Sequence, residues 1–123
     1  MKFLCLAYEE EQKLNALSNH EWEVLRGEVL TYVEDLRNGG HLIVAEALQS
    51  VFTASTVRVR GGKVSITDGP FAETKETLGG IFLIEASSKE EAMQIATRWP
   101  SARIGSIEVR PIEEALRPES RYQ

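Results

Sequence analysis

The chain has 123 residues, of which 42% are hydrophobic and 27% charged, a balance typical of one soluble globular domain. No apolar run approaches the roughly 20 residues that a membrane-spanning helix needs, so we expect no membrane association and no second domain. The net charge of −5 disfavours binding to nucleic-acid phosphates.

The first predicted element is a strand from Phe3 to Tyr8 that is apolar in both phases. This pattern is typical of a central strand covered on two faces. The apolar segment is too short for a secretion signal, so a cytoplasmic location is expected. Cys5, the only cysteine, lies within this strand, where a thiol is expected to fill the core.

The first helix is predicted from a capping box, in which Ser18 is followed by Glu21. The helix should end near Asn38, where Gly39 or Gly40 supplies a left-handed cap. Its apolar residues recur at helical spacing and should face the core: Trp22, Leu25, Val29, Tyr32, Val33 and Leu36. His20, in the first turn, is expected at the surface.

The next predicted strand runs from His41 to Gln49 and contains one charged residue, Glu46. By simple alternation Glu46 is in phase with Leu42, Val44 and Leu48, which predicts partial burial. Burial would raise the pKa of its carboxyl and suit a general acid or base. The alternative is a structural ion pair with a partner such as Arg110, which would oppose that shift.

A hairpin is predicted over residues 57–67, with its turn at Gly61 and Gly62, a pair suited to positive φ angles. This turn pairs Val59 with Val64 and Val57 with Ile66, so that these four residues share one face. Three basic residues lie on the opposite face, which is expected to be solvated: Arg58, Arg60 and Lys63.

The segment 68–76 reads DGPFAETKE and joins two predicted strands. Its Gly-Pro pair confines the backbone, and charged groups follow within a few residues. Asp68 and Glu73 are candidate catalytic groups lining a cleft, and Lys75 is a candidate anion contact. Phe71 is either an apolar wall of that cleft or an anchor for the loop. The alternative is a stiff turn whose charges are solvated or pair with each other.

The second half of the chain repeats the strand and helix pattern of the first. Residues 81–86 predict another central strand, and a helix should begin at Ser87 or Ser88 and end before Pro100. This helix is expected to direct four residues inward: Ala92, Met93, Ala96 and Trp99. Residues 106–110 alternate in polarity and predict a half-exposed strand.

This order of elements predicts an α+β domain over residues 1–112, with a ferredoxin-like βαββαβ plan and an inserted hairpin. Residues 113–123 are expected to form a short C-terminal extension or tail. Two helices cover only one face of such a sheet, whereas its central strands are apolar on both faces. We therefore expect a homodimer in which a second copy covers the other face.

Metal and cofactor sites have little support in the sequence. The two histidines and the single cysteine lack ligand spacing, so neither a metal nor a cofactor is predicted. Each glycine pair has a simpler explanation in a helix end, a hairpin turn or the start of a strand than in a nucleotide-binding loop.

Three segments, GGHLIVAEALQ, TVRVRGGKVSITDGPFAETKETLGGIFLIEA and GSIEVRPI, resemble the YCII-related family, specifically its DGPF branch. The resemblance covers nearly the whole chain. It implies a dimeric α+β barrel with a cleft between the sheet and the DGPF loop, and no established reaction. It also implies an association with sigma factors in transcription initiation.

The chain departs from this family in one respect. Some members resemble an acid–base enzyme because a histidine within the first helix faces an aspartate, whereas here His20 and His41 lie outside that position. His41 is instead expected to form a hydrogen bond at the start of its strand. Proton chemistry would then fall to the carboxylates, and the candidates are Asp68, Glu46 and Glu73, with Lys75, Phe71 and Arg110 as substrate contacts.

Two hypotheses about function remain open. The first is a small-molecule site in each protomer's cleft, either for binding alone or for acid–base catalysis. The second is a protein-interaction module that binds a sigma factor through the basic hairpin face of Arg58 and Arg60. A third hypothesis, with less support in the sequence, is a structural role without a ligand.

Overall fold

The structure, a computed structural model, describes residues 1–116 and 118–119. Its helices and strands follow one another as β1 (Lys2–Glu9), α1 (Glu11–Asn15), α2 (Asn19–Asn38), β2 (Leu42–Ala47), β3 (Ser55–Arg60), β4 (Lys63–Asp68), β5 (Thr77–Glu85), α3 (Lys89–Thr97) and β6 (Ser106–Pro111). Single 3₁₀ turns occur at Val51–Thr53 and Pro100–Arg103.

Four strands form an antiparallel sheet in the order β2-β5-β1-β6. This order, with α2 and α3 as the two crossover helices, confirms the predicted ferredoxin-like plan. Strands β1 and β5 are central, in agreement with their apolar character on both faces. The helices pack against one face of the sheet, which we call the helix face, and the opposite side is called the open face.

The core lies between the helix face and α2 and α3. Phe3, Phe82 and Ile84 are fully buried there, and Trp99 stacks on Phe82 with ring centroids 3.8 Å apart. The hydroxyl of Tyr32 donates a hydrogen bond to the backbone oxygen of Ile95 at 2.8 Å, which ties α2 to α3. Cys5 is also fully buried, which confirms its predicted role in the core.

The helix ends follow the local sequence signals. Ser18 Oγ accepts a hydrogen bond from the backbone nitrogen of Glu21, whose carboxylate accepts one from the backbone nitrogen of Ser18, so the capping box is confirmed. Helix α2 ends at Asn38, and Gly40 has φ = +79°, the left-handed conformation expected after a helix. Ser88 Oγ likewise accepts a hydrogen bond from the backbone nitrogen of Glu91 at the start of α3, whereas the Glu91 carboxylate accepts one from the backbone nitrogen of Ser87.

Two predicted core residues are about half-exposed. Trp22 is 46% exposed and Met93 is 48% exposed. The buried stripe of α3 consists of Ala92, Ile95 and Ala96, so Met93 falls about 100° around the helix from this stripe. Leu25 and Leu36 are the buried residues of α2. Trp22, near the start of this helix, borders a cavity described below.

The hairpin β3–β4 forms a separate two-stranded sheet. Its register pairs Val59 with Val64 and Val57 with Ile66, and Gly61 and Gly62 both have positive φ, as predicted. All four of these apolar side chains are exposed.

The structure differs from the predicted elements near the start of the chain, and it leaves part of the C-terminal segment undescribed. The short helix α1 was not predicted, because five residues are too few to show a helical period. The predicted C-terminal tail falls partly on Arg117 and residues 120–123, which lie outside the described residues. No helix of the described chain is long and apolar enough to cross a membrane.

Candidate functional site

Hydrogen bonds hold the DGPF loop, residues 68–76, against the base of the hairpin. Gly69 donates its backbone N–H to the oxygen of Ala54 at 2.7 Å, and Thr56 Oγ1 donates to the oxygen of Gly69 at 2.8 Å. Arg58 Nη2 donates to the backbone oxygen of Phe71 at 3.3 Å. Gly69 has φ = +107°, a conformation that side chains rarely allow, so glycine is required where the loop leaves β4.

The loop closes over the end of the open face and forms a cavity of about 600 Å³, which we call the loop cavity. One wall belongs to the loop and the others to β1, β5 and the segment after β2. Its apolar lining includes Leu48, Val51, Ala54, Pro70, Phe71, Ala72 and Leu78. This volume falls in the range of small-molecule sites.

The polar groups of the loop cavity are uncharged. Hydroxyl groups of Tyr8, Ser50, Thr74 and Thr77 line it, together with the amide of Gln49. No Asp, Glu, His, Lys or Arg side chain belongs to this lining within the described part of the chain. The cavity therefore suits a largely apolar molecule that exchanges a few hydrogen bonds with hydroxyl groups.

A second cavity, of about 440 Å³, shares the wall formed by Leu48, Gln49 and Ser50. We call it the carboxylate cavity, because Glu9 and Glu11 line it. The remaining lining comes from α1, the turn after it, the start of α2 and β5: Leu14, Asn15, Leu17, Asn19, Trp22 and Gly79.

The two carboxylates of this cavity have opposite pKa shifts. Burial raises the pKa of Glu9, and the charge of Glu11 raises it further. The pKa of Glu11 is lowered, first by the hydrogen bond from Ser50 Oγ at 2.6 Å and then by that from the backbone nitrogen of Val51 at 2.7 Å. Glu11 thus holds the segment after β2 in place, whereas the carboxylate of Glu9 accepts no hydrogen bond among the described residues.

Of the residues predicted from the DGPF loop, only Phe71 lines the loop cavity. Asp68 pairs with Ser55 at the hairpin end, and its carboxylate is exposed, as is that of Glu73. Lys75 Nζ lies 3.6 Å from the carboxylate of Glu10. None of these three charged residues lines either cavity. Their predicted roles, catalysis for Asp68 and Glu73 and an anion contact for Lys75, stay predictions.

Glu46 shares a face with Val44, as predicted, but its predicted phase with Leu42 is wrong, because a register shift at Ile43 separates Leu42 from Val44. Leu42 pairs with Ile84 on the helix face, whereas Glu46 pairs with Ile81 and is exposed on the open face. The expected partner Arg110 lies on β6, at the opposite edge of the sheet from β2, and its Nε donates to Glu108 at 3.1 Å.

Both histidines lie in the environments that the sequence predicted for them. His20 is exposed on the first turn of α2, and His41 Nδ1 lies 3.0 Å from the backbone oxygen of Glu85. Among residues 1–116 and 118–119, no three His, Cys, Asp or Glu side chains are grouped as metal ligands.

Sequence reasoning missed Glu9 and Glu11. They lie in the run Glu9-Glu10-Glu11, where β1 ends and α1 begins, and a run of charges at a strand end is usually solvated. The only sequence signal is the glycine pair opposite: a Cβ on Gly79 would overlap the carboxylate of Glu9. Recognising that signal requires knowing that β1 and β5 are neighbours.

Comparison with known proteins assigns the family. The model of the YCII-related domain matches residues 1–115. The chain belongs to the YCII-related family. An uncharacterized protein of this kind from Rhizobium meliloti (strain 1021), R00369, is 34% identical over 114 residues, which cover 91% of this chain and 92% of that protein.

This YCII-related chain also resembles a solved structure, the 5-chloro-2-hydroxyhydroquinone dehydrochlorinase TftG from Burkholderia phenoliruptrix AC1100, in complex with 2,5-dihydroxybenzoquinone. The match has a TM-score of 0.57 and 15% sequence identity, and it covers 94% of this chain and 96% of TftG. At this identity the likeness concerns the fold alone, and it agrees with the ferredoxin-like topology.

Proposed function

We propose that the protein binds a small, largely apolar molecule in the loop cavity. The observation that carries this proposal is the cavity of about 600 Å³ between the DGPF loop and the sheet. Its walls remove apolar surface from water, and its hydroxyl groups orient a ligand. TftG, which shares the fold, is a dehydrochlorinase that was solved with a small ring compound, and this agrees with a small-molecule role for the fold.

Binding is better supported than acid–base catalysis inside this cavity. General acid–base chemistry needs a titratable group within hydrogen-bond reach of the substrate. The described lining of the loop cavity has no carboxylate, and Glu11, which accepts a hydrogen bond from the lining hydroxyl of Ser50, has a lowered pKa. A catalytic role would therefore have to pass through Ser50 or a group outside the described lining.

Thermal denaturation with a panel of small aromatic compounds tests the proposal, beginning with catechol, 4-hydroxybenzaldehyde and 2-naphthol. A ligand at a hundred times its Kd adds about 2.7 kcal/mol to the free energy of unfolding, or several degrees in Tm. Phe71→Ala should weaken a hit at least fivefold, because it removes a cavity wall. Phe52→Ala is the matched control, since Phe52 is 89% exposed, close to the 81% of Phe71, but lies outside both cavities.

The same assay separates this site from the charged residues of the loop. Asp68→Asn and Glu73→Gln should leave the Kd of a hit unchanged, because neither side chain lines the cavity. If a compound no longer binds these variants but still binds Phe71→Ala, its site lies on the outer surface of the loop and not in the cavity. If no compound shifts the Tm, the proposal fails.

We also propose that the functional unit is a homodimer. The open face carries apolar side chains of the central strands, with Leu4 paired to Leu83 and Leu6 paired to Ile81, and no helix of the described chain covers them. An uncovered apolar sheet face costs free energy in water and favours association with a second copy.

Light scattering after size exclusion tests the assembly, since the monomer mass is 13.8 kDa. The wild type should elute at twice that mass, and Leu6→Glu should produce monomers. Leu30→Glu is the control, because Leu30 is an exposed leucine of α2, away from the open face. A wild type that stays monomeric at micromolar concentration would contradict the proposal.

Two further expectations stay predictions: the cytoplasmic location and the sigma-factor partner. The basic hairpin face expected to bind that partner is partly used within the chain, because Arg58 donates to the DGPF loop.

A further inference from the structure

Glu9, Glu10 and Glu11 lie where β1 ends and α1 begins. Among the described residues, lysines pair only with the middle one, Glu10. The carboxylate of Glu10 lies 3.8 Å from Lys13 Nζ and 3.6 Å from Lys75 Nζ. Glu11 accepts two hydrogen bonds from the segment after β2. The carboxylate of Glu9 has neither a hydrogen bond nor an ion pair within the described part of the chain, although it is half-buried.

The backbone of β5 leaves room for this uncompensated carboxylate. Glu9 lies directly over Gly79, and a Cβ at that position would overlap the carboxylate oxygen, its carbon and the adjacent methylene. A half-buried carboxylate without a partner costs free energy, because burial disfavours its charged form. The structure tolerates this cost at a position that opens into a cavity.

The rest of the carboxylate cavity supplies the other groups that an organic cation needs. Trp22 presents a partly exposed indole ring, and Leu14 and Leu17 add apolar surface. The amides of Asn15, Asn19 and Gln49 offer oxygen acceptors for the N–H groups of an ammonium ion. A metal ion is a poor occupant, since the described residues bring no third carboxylate, histidine or cysteine to this pair.

We propose that the carboxylate cavity binds a small primary ammonium compound, with Glu9 as its counter-ion and Trp22 as the aromatic wall. A carboxylate attracts the ammonium group strongly in a partly desolvated site, and the indole face adds a cation–π contact. The volume of about 440 Å³ accommodates an amine with a ring or a short chain. This site is separate from the loop cavity and does not depend on the function proposed for it.

Isothermal titration calorimetry with benzylammonium chloride tests the proposal, with benzyl alcohol and benzoate as probes of the same ring without the positive charge. Benzylammonium should bind in the micromolar to millimolar range, and the other two should bind at least tenfold more weakly. Glu9→Gln should weaken benzylammonium at least tenfold, because it removes the counter-ion and keeps the shape. Trp22→Leu should weaken it several-fold.

Glu10→Gln is the matched control, since Glu10 is the neighbouring glutamate whose partners are lysines. It should leave the Kd of benzylammonium unchanged, and so should Phe71→Ala in the loop cavity. Circular dichroism and Tm establish that each variant is folded. Equal binding of benzylammonium and benzyl alcohol, unchanged binding in Glu9→Gln, or no benzylammonium binding at millimolar concentration would each overturn the proposal.

Discussion

Arg58 Nη2 donates a hydrogen bond to the backbone oxygen of Phe71, 3.3 Å away, and so links the hairpin to the DGPF loop. The donor is charged, and the acceptor belongs to the residue that forms a wall of the loop cavity. The polar face of the hairpin therefore has a structural role in the loop, in addition to being solvated.

Replacing Arg58 should loosen the DGPF loop with little effect on global stability. The hydrogen bond is exposed, so Arg58→Ala should lower the free energy of unfolding by less than about 1 kcal/mol. Amide hydrogen exchange of residues 71–77 should become faster, because their local opening becomes easier. Arg60→Ala is the control, since the hydrogen bond of Arg60 among the described residues goes to the backbone oxygen of its neighbour Val59. Equal exchange in both variants would contradict the link.

The core should be sensitive to loss of the Phe82 ring. Phe82 is fully buried and stacks on Trp99, so Phe82→Ala should lower the free energy of unfolding by about 3–5 kcal/mol. The same substitution at Phe52, which is largely exposed, should cost less than about 0.5 kcal/mol. Urea denaturation measures both free energies. A loss at Phe82 as small as that at Phe52 would contradict the position of Phe82 in the core.

The capping box should contribute to stability on its own. Ser18→Ala removes the acceptor for the backbone nitrogen of Glu21 and should cost about 1 kcal/mol, or a few degrees in Tm. Ser65→Ala, an exposed serine in the middle of β4, should leave the Tm nearly unchanged. A Tm for Ser18→Ala equal to that of Ser65→Ala would show that α2 does not depend on this cap.

Glu9 and Glu11 should affect the pH dependence of stability in opposite directions. The folded pKa of Glu9 is raised, so the folded state binds more protons than the unfolded state between the unfolded pKa, about 4.3, and the folded value. Stability therefore falls as pH rises through that window. Glu9→Gln should be more stable than the wild type at pH 7, and the difference should vanish below the unfolded pKa.

For Glu11 the folded pKa is lowered, so its contribution is present above the unfolded pKa and is lost as pH falls through the folded value. Glu11→Gln should be less stable than the wild type at pH 7 and equally stable in strong acid. Denaturation from pH 2.5 to 8 measures both variants. Differences of the same sign would contradict the assigned pKa shifts.

Cys5 should be inert in the folded protein. Burial raises the pKa of its thiol to about 12, so the reactive thiolate is scarce at neutral pH. A thiol reagent such as dithionitrobenzoate should react only at the rate of unfolding, and promptly in concentrated guanidinium chloride. Rapid reaction under native conditions would contradict the burial of β1.

Local sequence signals were sufficient to predict several elements of the fold. The capping box of Ser18 and Glu21 and the glycine turn at Gly61 and Gly62 act within a few residues, so neighbouring side chains suffice to specify them. The apolar character of β1 and β5 likewise identified the two central strands. Together these signals predicted the ferredoxin-like order of elements, and with it the position of the DGPF loop beside the sheet.

The contacts between side chains at the candidate sites depend on strand pairing, which local sequence signals do not reveal. The register shift at Ile43 moved Glu46 away from Leu42, and simple alternation could not reveal it. Glu9 meets Gly79 because β1 and β5 pair across a long stretch of chain, and this contact makes a charged strand end part of a cavity. Burial and charge at a site depend on distant neighbours, whereas caps and turns depend on adjacent ones.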